Sequence, residues 1–262
     1  MERTDMFDGL ADDYSLSRPD YAEAFLIFLR DLYKYGLSEV CTAEHDLSEI
    51  NAADIGSGTG KFSKQLLDKG FKVYGIEPND DMRKTAENNL KEYKSFISVR
   101  GSAANTSLKD KSVDFIATAQ AFHWFNALEF RTECLRIIKP GGKVFLIWNI
   151  RSMEAELNKR SYDIFKQFCP RFKGFSGGMQ EDDSRIHLFF QDQYKKLRFD
   201  HPIHYTMETF IGRSLSASYS LREKDTGYKE YIAMHEKLFD QYAENGILKV
   251  PNETIVYYGS IK

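Results

Sequence analysis

Between residues 50 and 148, five short apolar runs alternate with amphipathic stretches, and no other feature of the chain constrains its fold as much. The runs fall at 50–55, 71–76, 96–100, 112–118 and 142–148, each of strand length. Between them, stretches of helical period lie at about 60–69, 79–93 and 126–138. In the second, Met82, Ala86, Leu90 and Tyr93 share a face; in the third, Ala127, Phe130, Cys134, Ile137 and Ile138 do. Asn79 and Asn126 are placed to cap these helices, the latter with Glu129 as a capping box, and Asp80-Asp81 suit a positive helix end. Lys139-Pro-Gly-Gly stops the third helix. Such alternation specifies a parallel sheet with helices on both faces, which binds ligands beyond the carboxyl ends of its strands, where strand order reverses.

The flanks are less regular. Tyr21, Phe25, Phe28, Leu29 and Leu32 mark one face of a helix that Pro19 precedes. Residues 151–192 hold a helix-like piece, Met153 to Phe168, and a glycine-rich loop, PRFKGFSGGM. A strand-like stretch follows at 193–205, then mostly helical residues at 207–243, then a strand in ETIVYYGSIK. The fold expected is α/β: a Rossmann-like, seven-stranded, mostly parallel sheet with helices on both faces and a helical cap over the binding edge. Residues 1–150 form an N-terminal lid helix and the binding core, 151–192 an insert, and 193–262 the last strands, with a helical cap insert at about 206–250.

Charge and cysteine usage exclude several classes of function. The 36 Lys and Arg against 39 Asp and Glu give a net charge of −3, and no dense basic run offers a nucleic-acid surface. The aromatic share is high, with 20 Phe and 15 Tyr, and reads first as a core filled with large rings. Cys41, Cys134 and Cys169 are widely spaced, which argues against a disulfide framework or a structural zinc site. His201 and His204 would point to opposite faces of a strand, so no metal is expected. The polar, acidic N-terminus is not a signal peptide, and no apolar run approaches the roughly 20 residues that cross a bilayer. A cytoplasmic monomer or homodimer without membrane insertion is expected.

The loop after the first strand, Asp54-Ile-Gly-Ser-Gly-Thr-Gly, is the first chemical signal. Its glycines, Gly56, Gly58 and Gly60, are spaced G-x-G-x-G, with Lys61 where a dinucleotide fingerprint has its last glycine. Phe62 after Gly60-Lys61 rules out a P-loop. Such glycines let main chain and its N–H groups approach an anionic ligand. Glu77, at the end of the second strand, suits two ribose hydroxyls.

Five motifs in order then resemble class I S-adenosylmethionine-dependent methyltransferases: D-I-G-S-G-T-G at 54–60, G-I-E-P-N at 75–79, G-S-A at 101–103, D-F-I at 114–116 and K-P-G-G at 139–142. A-Q-A-F-H-W-F at 119–125, I-W-N at 147–149, F-D-G-L-A-D-D-Y-S-L-S-R-P-D-Y near the N-terminus and S-L-S-A-S-Y-S at 214–220 resemble the small-molecule subgroup that includes trans-aconitate methyltransferase-like proteins. The resemblance implies S-adenosyl-L-methionine as cofactor and S-adenosyl-L-homocysteine as product. It implies that Gly56, Ser57 and Gly58 hold the methionine portion and that Glu77 binds the ribose. Pro78 and Met82 would flank the adenine, Ser102 and Ala103 would meet its edge, and Gln120 would sit beside the cofactor. Asp54 anchors the loop or touches the ligand. Many relatives carry an acid where Ala104 stands, so a side-chain contact to the adenine amine there is not expected.

Methyl transfer from a sulfonium is an in-line displacement, accelerated mainly by holding the reactants in register. Phe122, Trp124 and Tyr14 are candidates to face the sulfonium through cation–π attraction. His123 is the candidate base for a hydroxyl, amine or thiol acceptor; for a carboxylate acceptor it orients or shapes the pocket. Tyr14 and Arg18 are candidate lid residues over the cofactor, and Asn149, Arg151, Ser214 and Tyr219 are candidate substrate contacts, with Arg151 suited to a carboxylate. Three readings stay open: a small-molecule methyltransferase for a carboxylate- or hydroxyl-bearing acceptor, a quinone or lipid-precursor methyltransferase, and a non-catalytic cofactor-binding regulator.

Overall fold

A seven-stranded sheet runs in the order β3-β2-β1-β4-β5-β9-β6 through a computed structural model that describes residues 19–35, 45–175, 183–217 and 219–262. The strands are β1 (Asn51–Ile55), β2 (Lys72–Ile76), β3 (Phe96–Val99), β4 (Val113–Ala119), β5 (Ile138–Arg151), β6 (Lys195–Asp200) and β9 (Asn252–Gly259). Neighbours from β3 through β5 pair in parallel, and β9 is antiparallel to both β5 and β6. The five strands expected between 50 and 148 are all present. The late strands β6 and β9 complete the sheet.

Helices α1 (Glu23–Lys34), α2 (Lys61–Asp68), α3 (Asp80–Asn89) and α4 (Ala127–Ile137) surround it. Both cap residues are those the sequence places: Asn79 Oδ1 accepts the Met82 N–H at 2.9 Å, and Asn126 Oδ1 accepts those of Leu128 and Glu129 at 3.1 and 3.3 Å. The expected capping box does not close, because Glu129 Oε1 accepts the Asn126 side-chain amide at 3.2 Å rather than its backbone N–H. Alternation along β5 sorts its side chains to two sides. Val144, Leu146 and Trp148 face α4 residues such as Phe130 and Ile137, whereas Phe145 and Ile147 join Phe25 and Leu29 of α1 and Phe62 and Leu66 of α2. Both faces of the sheet are therefore covered. Asp114, of the D-F-I motif, fastens the far edge: it accepts the Asn51 N–H at 2.9 Å and pairs with Lys139 at 2.8 Å.

After β5 the structure is more divided than the sequence suggests. The strand-like stretch 193–205 is two strands, β6 and β7 (Ile203–Tyr205), and β7 leaves the main sheet to pair with β8 (Leu248–Val250). Pro202 lies between them, and its missing N–H favours the break. Of the first insert, α5 (Glu156–Phe168) packs with α7 (Met207–Leu215), α8 (Tyr228–Tyr242) and the β7–β8 ribbon in a third apolar cluster. Its other helix, α6 (Ser184–Phe190), instead sends Ile186 and Phe189 against α4 on the sheet. Among the described residues no helix is long and apolar enough to cross a membrane.

Sheet order places the binding edge. The chain runs outward from β1 to β3, then returns to β4 on the other side of β1. The loops after β1 and β4 thus diverge at the switch point, where open α/β sheets bind ligands.

Candidate functional site

The glycine loop leaves β1 in a conformation only glycine adopts easily. Gly56, Gly58 and Gly60 have φ of 73°, 55° and 81°. A Cβ on Gly56 would lie 2.7 Å from that of Ala121, and one on Gly60 2.8 Å from Leu90 Cδ1, so these two glycines permit close packing. A Cβ on Gly58 would meet nothing within 4 Å. The loop therefore closes against the protein at both ends and opens in the middle, beside the N-terminus of α2, whose cap residue Gly60 has no side chain.

Two carboxylates flank that opening. Asp54 is fully buried; its Oδ2 accepts the Ser63 hydroxyl at 2.6 Å, and its Oδ1 finds no hydrogen-bond partner. Burial, and secondarily the charge of Glu77, pushes its pKa up to about 7 despite the Ser63 bond. Glu77 accepts the Gly58 N–H on Oε2 and the Asn79 N–H on Oε1, both at 2.9 Å. One side chain thus ties the loop after β1 to the start of α3, and remains 8% exposed at the edge.

Pro78 is half-buried at the turn leaving β2, and Met82 is buried in the first turn of α3. Ser102 and Asn105 exchange backbone hydrogen bonds at 2.9 and 3.2 Å, closing the turn after β3 that carries the buried Ala103. An orphaned acidic oxygen, an open glycine cradle and an anchored strand-end carboxylate fit a ligand with a cationic amine, a carboxylate and a diol, as S-adenosylmethionine has.

The loop after β4 holds the other candidates, and the structure separates them. Gln120 adopts φ 57°, and its Nε2 donates to the Asn149 carbonyl at 3.0 Å. Asn149 itself is an internal brace: its Nδ2 donates to the Asp20 carbonyl at 2.8 Å and its Oδ1 accepts the Thr254 hydroxyl at 2.6 Å. Phe122 is a core ring rather than a pocket face, 1% exposed and edge-on to Trp148 and Phe189. Trp124 is half-exposed, and His123, between them, is half-buried beside its ring at 4.9 Å. The His123 carbonyl accepts Arg185 Nη1 at 3.2 Å. Arg185 chiefly, with a smaller contribution from His123, holds the Asp183 carboxyl below the usual range.

Of the remaining substrate candidates, two converge and one does not. Arg151 leaves β5 into the cap, where its guanidinium lies 4.3 Å over the Phe175 ring and its Nη1 donates to Ser161 Oγ at 2.7 Å. Tyr219 packs 4.9 Å from Phe172 in the same aromatic group and lies close enough to act on the Arg151 charge. Ser214 is buried and bonds back to the Phe210 carbonyl at 3.0 Å, as helical serines do. Tyr14 and Arg18 lie outside the described residues. Sequence reasoning missed Ser63, although a serine in the first turn after a glycine loop is a local signal. It also missed Ser161 and Phe175, which reach Arg151 only through the fold. Among the described residues no group of three or more His, Cys, Asp or Glu is arranged to hold a metal ion.

Residues 53–146 match the family model of the methyltransferase domain. An uncharacterised methyltransferase of Mycobacterium tuberculosis is 34% identical over 98 residues, 37% of this chain and 39% of that protein. The alignment thus spans well under half of that relative's length. An uncharacterised methyltransferase of Geobacillus kaustophilus is 31% identical over 159 residues, 59% of this chain and 70% of the relative. Among solved structures, a candidate type II methyltransferase from Anaeromyxobacter dehalogenans shares the fold at TM-score 0.63 and 19% identity, covering 92% of this chain and 97% of that one.

Proposed function

Since the chain belongs to the class I S-adenosylmethionine-dependent methyltransferases, a family that implies this methyl donor, we propose that it methylates a small-molecule acceptor, carboxylate- or hydroxyl-bearing. The observation that carries the reading is the anchored Glu77 beside the open face of Gly58.

When bound, S-adenosylmethionine supplies a methyl group already activated on a cationic sulfur. The residues' task is to hold and orient. The backbone of Gly56, Ser57 and Gly58 lines the methionine portion, and the positive end of α2 faces its amino-acid carboxylate. Asp54, whose Oδ1 is unsatisfied, receives the ammonium. Glu77 takes the ribose diol, Pro78 and Met82 flank the adenine, Ser102 and Ala103 meet its edge, and Gln120 borders the sulfur end. The Asp20 carbonyl is held at this edge by Asn149, so we assign Tyr14 and Arg18, just before it in sequence, to closing the cleft. His123 orients the acceptor or accepts its proton, and Trp124 shapes the entrance. The reaction needs no metal, the acceptor is not nucleic acid, and the enzyme works as a cytoplasmic monomer or homodimer. The domain roles follow: residues 1–150 hold the cofactor, while elements of 151–192 and 206–250 cap the acceptor.

The ring-rich cap also suits a quinone or lipid precursor, and cofactor binding alone would equally serve a regulator. Calorimetry tests the core of the proposal: S-adenosylhomocysteine should bind and NAD should not, and the reverse would overturn it. Incubation with methyl-labelled cofactor and a metabolite extract should label a small product. Binding without any labelled product would favour the regulator.

A further inference from the structure

Among the described residues Arg151 is a cation without an anion. Protein surrounds it, yet part of its surface stays accessible. Among the described residues no carboxylate pairs with it; its contacts are the Ser161 hydroxyl and the Phe175 ring face. Burial draws its pKa below the usual arginine range, and the other groups acting on its charge are Tyr205, Tyr219 and Tyr231. Two other titratable groups of that interior add no charge at neutral pH: burial raises the pKa of the Cys169 thiol and lowers that of His235 to about 4. Its Nδ1 lies 2.9 Å from the Tyr231 carbonyl, so that nitrogen carries the proton, and its Nε2 finds no hydrogen-bond partner.

An enclosed, uncompensated charge destabilises the fold, and arginine cannot escape that cost by deprotonating near neutral pH. An enclosed cation of this kind is consistent with folding if its counter-ion arrives with a ligand. The guanidinium presents five N–H donors, of which Ser161 takes one, and stacking on Phe175 leaves its edges open. Planar bidentate pairing suits a carboxylate. The walls around it, Phe165, Phe172, Phe175 and Tyr219, are rings in mutual contact at 4.9 to 5.7 Å, which suits an apolar body. Among the described residues no other cation lies over these rings, so a polyanion would find no second partner on them.

We propose that Arg151 anchors the acceptor through a single carboxylate, and that the acceptor is a monoanionic acid with a ring-sized or aliphatic apolar body lying against Phe172, Phe175 and Tyr219. The assignment of this ligand as acceptor rests on the methyltransferase reading; the binding site itself does not.

Titration calorimetry with benzoate, phenylacetate and octanoate, each with and without saturating S-adenosylhomocysteine, tests the inference. At least one should bind, and its neutral amide should bind at least about tenfold more weakly, as expected for loss of a charge-assisted hydrogen bond. Arg151→Met should lose about tenfold or more in carboxylate affinity, and Arg151→Lys should retain part of it. Arg151→Met without ligand should melt at or above the wild type, because the substitution removes an unpaired enclosed charge. No carboxylate binding, equal binding of acid and amide, equal binding by Arg151→Met, or a large fall in its melting temperature would each overturn the proposal. S-adenosylhomocysteine affinity should be unchanged in Arg151→Met. If that ligand fails to bind the wild type while a carboxylate still does, the cofactor reading falls and the anchor stands.

Discussion

Glu77 accepts the backbone N–H of Gly58 at 2.9 Å, so the carboxylate proposed to bind the ribose also fixes the loop proposed to hold the methionine portion. It reaches the N–H of Asn79 as well, at the cap of α3. Removing it would cost both a ligand contact and the set of the loop. Each charge-assisted hydrogen bond is worth about 1.5–3 kcal/mol. Glu77→Ala should therefore weaken S-adenosylhomocysteine binding by about 10- to 100-fold or more, measured calorimetrically on protein with an unchanged far-ultraviolet circular dichroism spectrum. Unaltered affinity would sink the ribose assignment.

Two glycines of the same loop should fail in different ways. Gly56→Ala places a methyl 2.7 Å from Ala121 at φ 73°, so both strain and collision fall on the fold. Gly58→Ala carries the left-handed strain, of about 1–2 kcal/mol, with open space for the methyl. Gly56→Ala should thus lose more stability in urea unfolding, whereas Gly58→Ala should lose more cofactor affinity than its smaller instability explains. Equal stability losses would contradict the packing described around Gly56.

The parallel core was legible because its signals are local. Asn79, Asn126 and the glycines announce their turns within a few residues, and Glu77 follows its loop at the distance one crossover sets. Other features depend on partners distant in sequence. Phe122 follows a strand at the binding edge, where a pocket ring and a core ring look alike. It is a core ring because Phe189, from a helix sixty-odd residues later, covers it. Helix α6 was missed although Asp183 caps it at 2.9 Å, since seven residues carry too little periodicity. Arg151 was recognisable as a candidate clamp, but the lack of a counter-ion among the described residues shows only once Ser161, Phe175 and Tyr219 surround it.

That distinction between rings can be measured. Phe122 is buried among Phe125, Phe130, Trp148 and Phe189, so Phe122→Ala should cost about 3–5 kcal/mol in urea unfolding. Trp124, 50% exposed two residues later, should cost under about 1 kcal/mol when truncated to alanine. Similar losses at both positions would mean that the loop after β4 is packed differently.

Asp54, proposed to receive the ammonium, should make cofactor binding sensitive to pH, with a sign that follows from its environment. Buried and near Glu77, it has a folded pKa of about 7 against 3.8 in an unfolded chain. The protonated acid is therefore what the free fold favours. Its contribution to stability is complete below pH 3.8 and declines as pH rises toward about 7. Asp54→Asn should flatten that decline in free protein. A cationic ammonium against Oδ1 reverses the preference, because it favours the carboxylate. Binding S-adenosylhomocysteine near pH 6 should then release a proton, visible as a buffer-dependent calorimetric enthalpy. Affinity should climb by up to about tenfold per pH unit below 7 and level off above it. Asp54→Asn should bind more weakly at pH 7.5 and lose most of the slope. A slope as steep in the variant as in the wild type would remove Asp54 from the ammonium site and leave it only as the loop's anchor through Ser63.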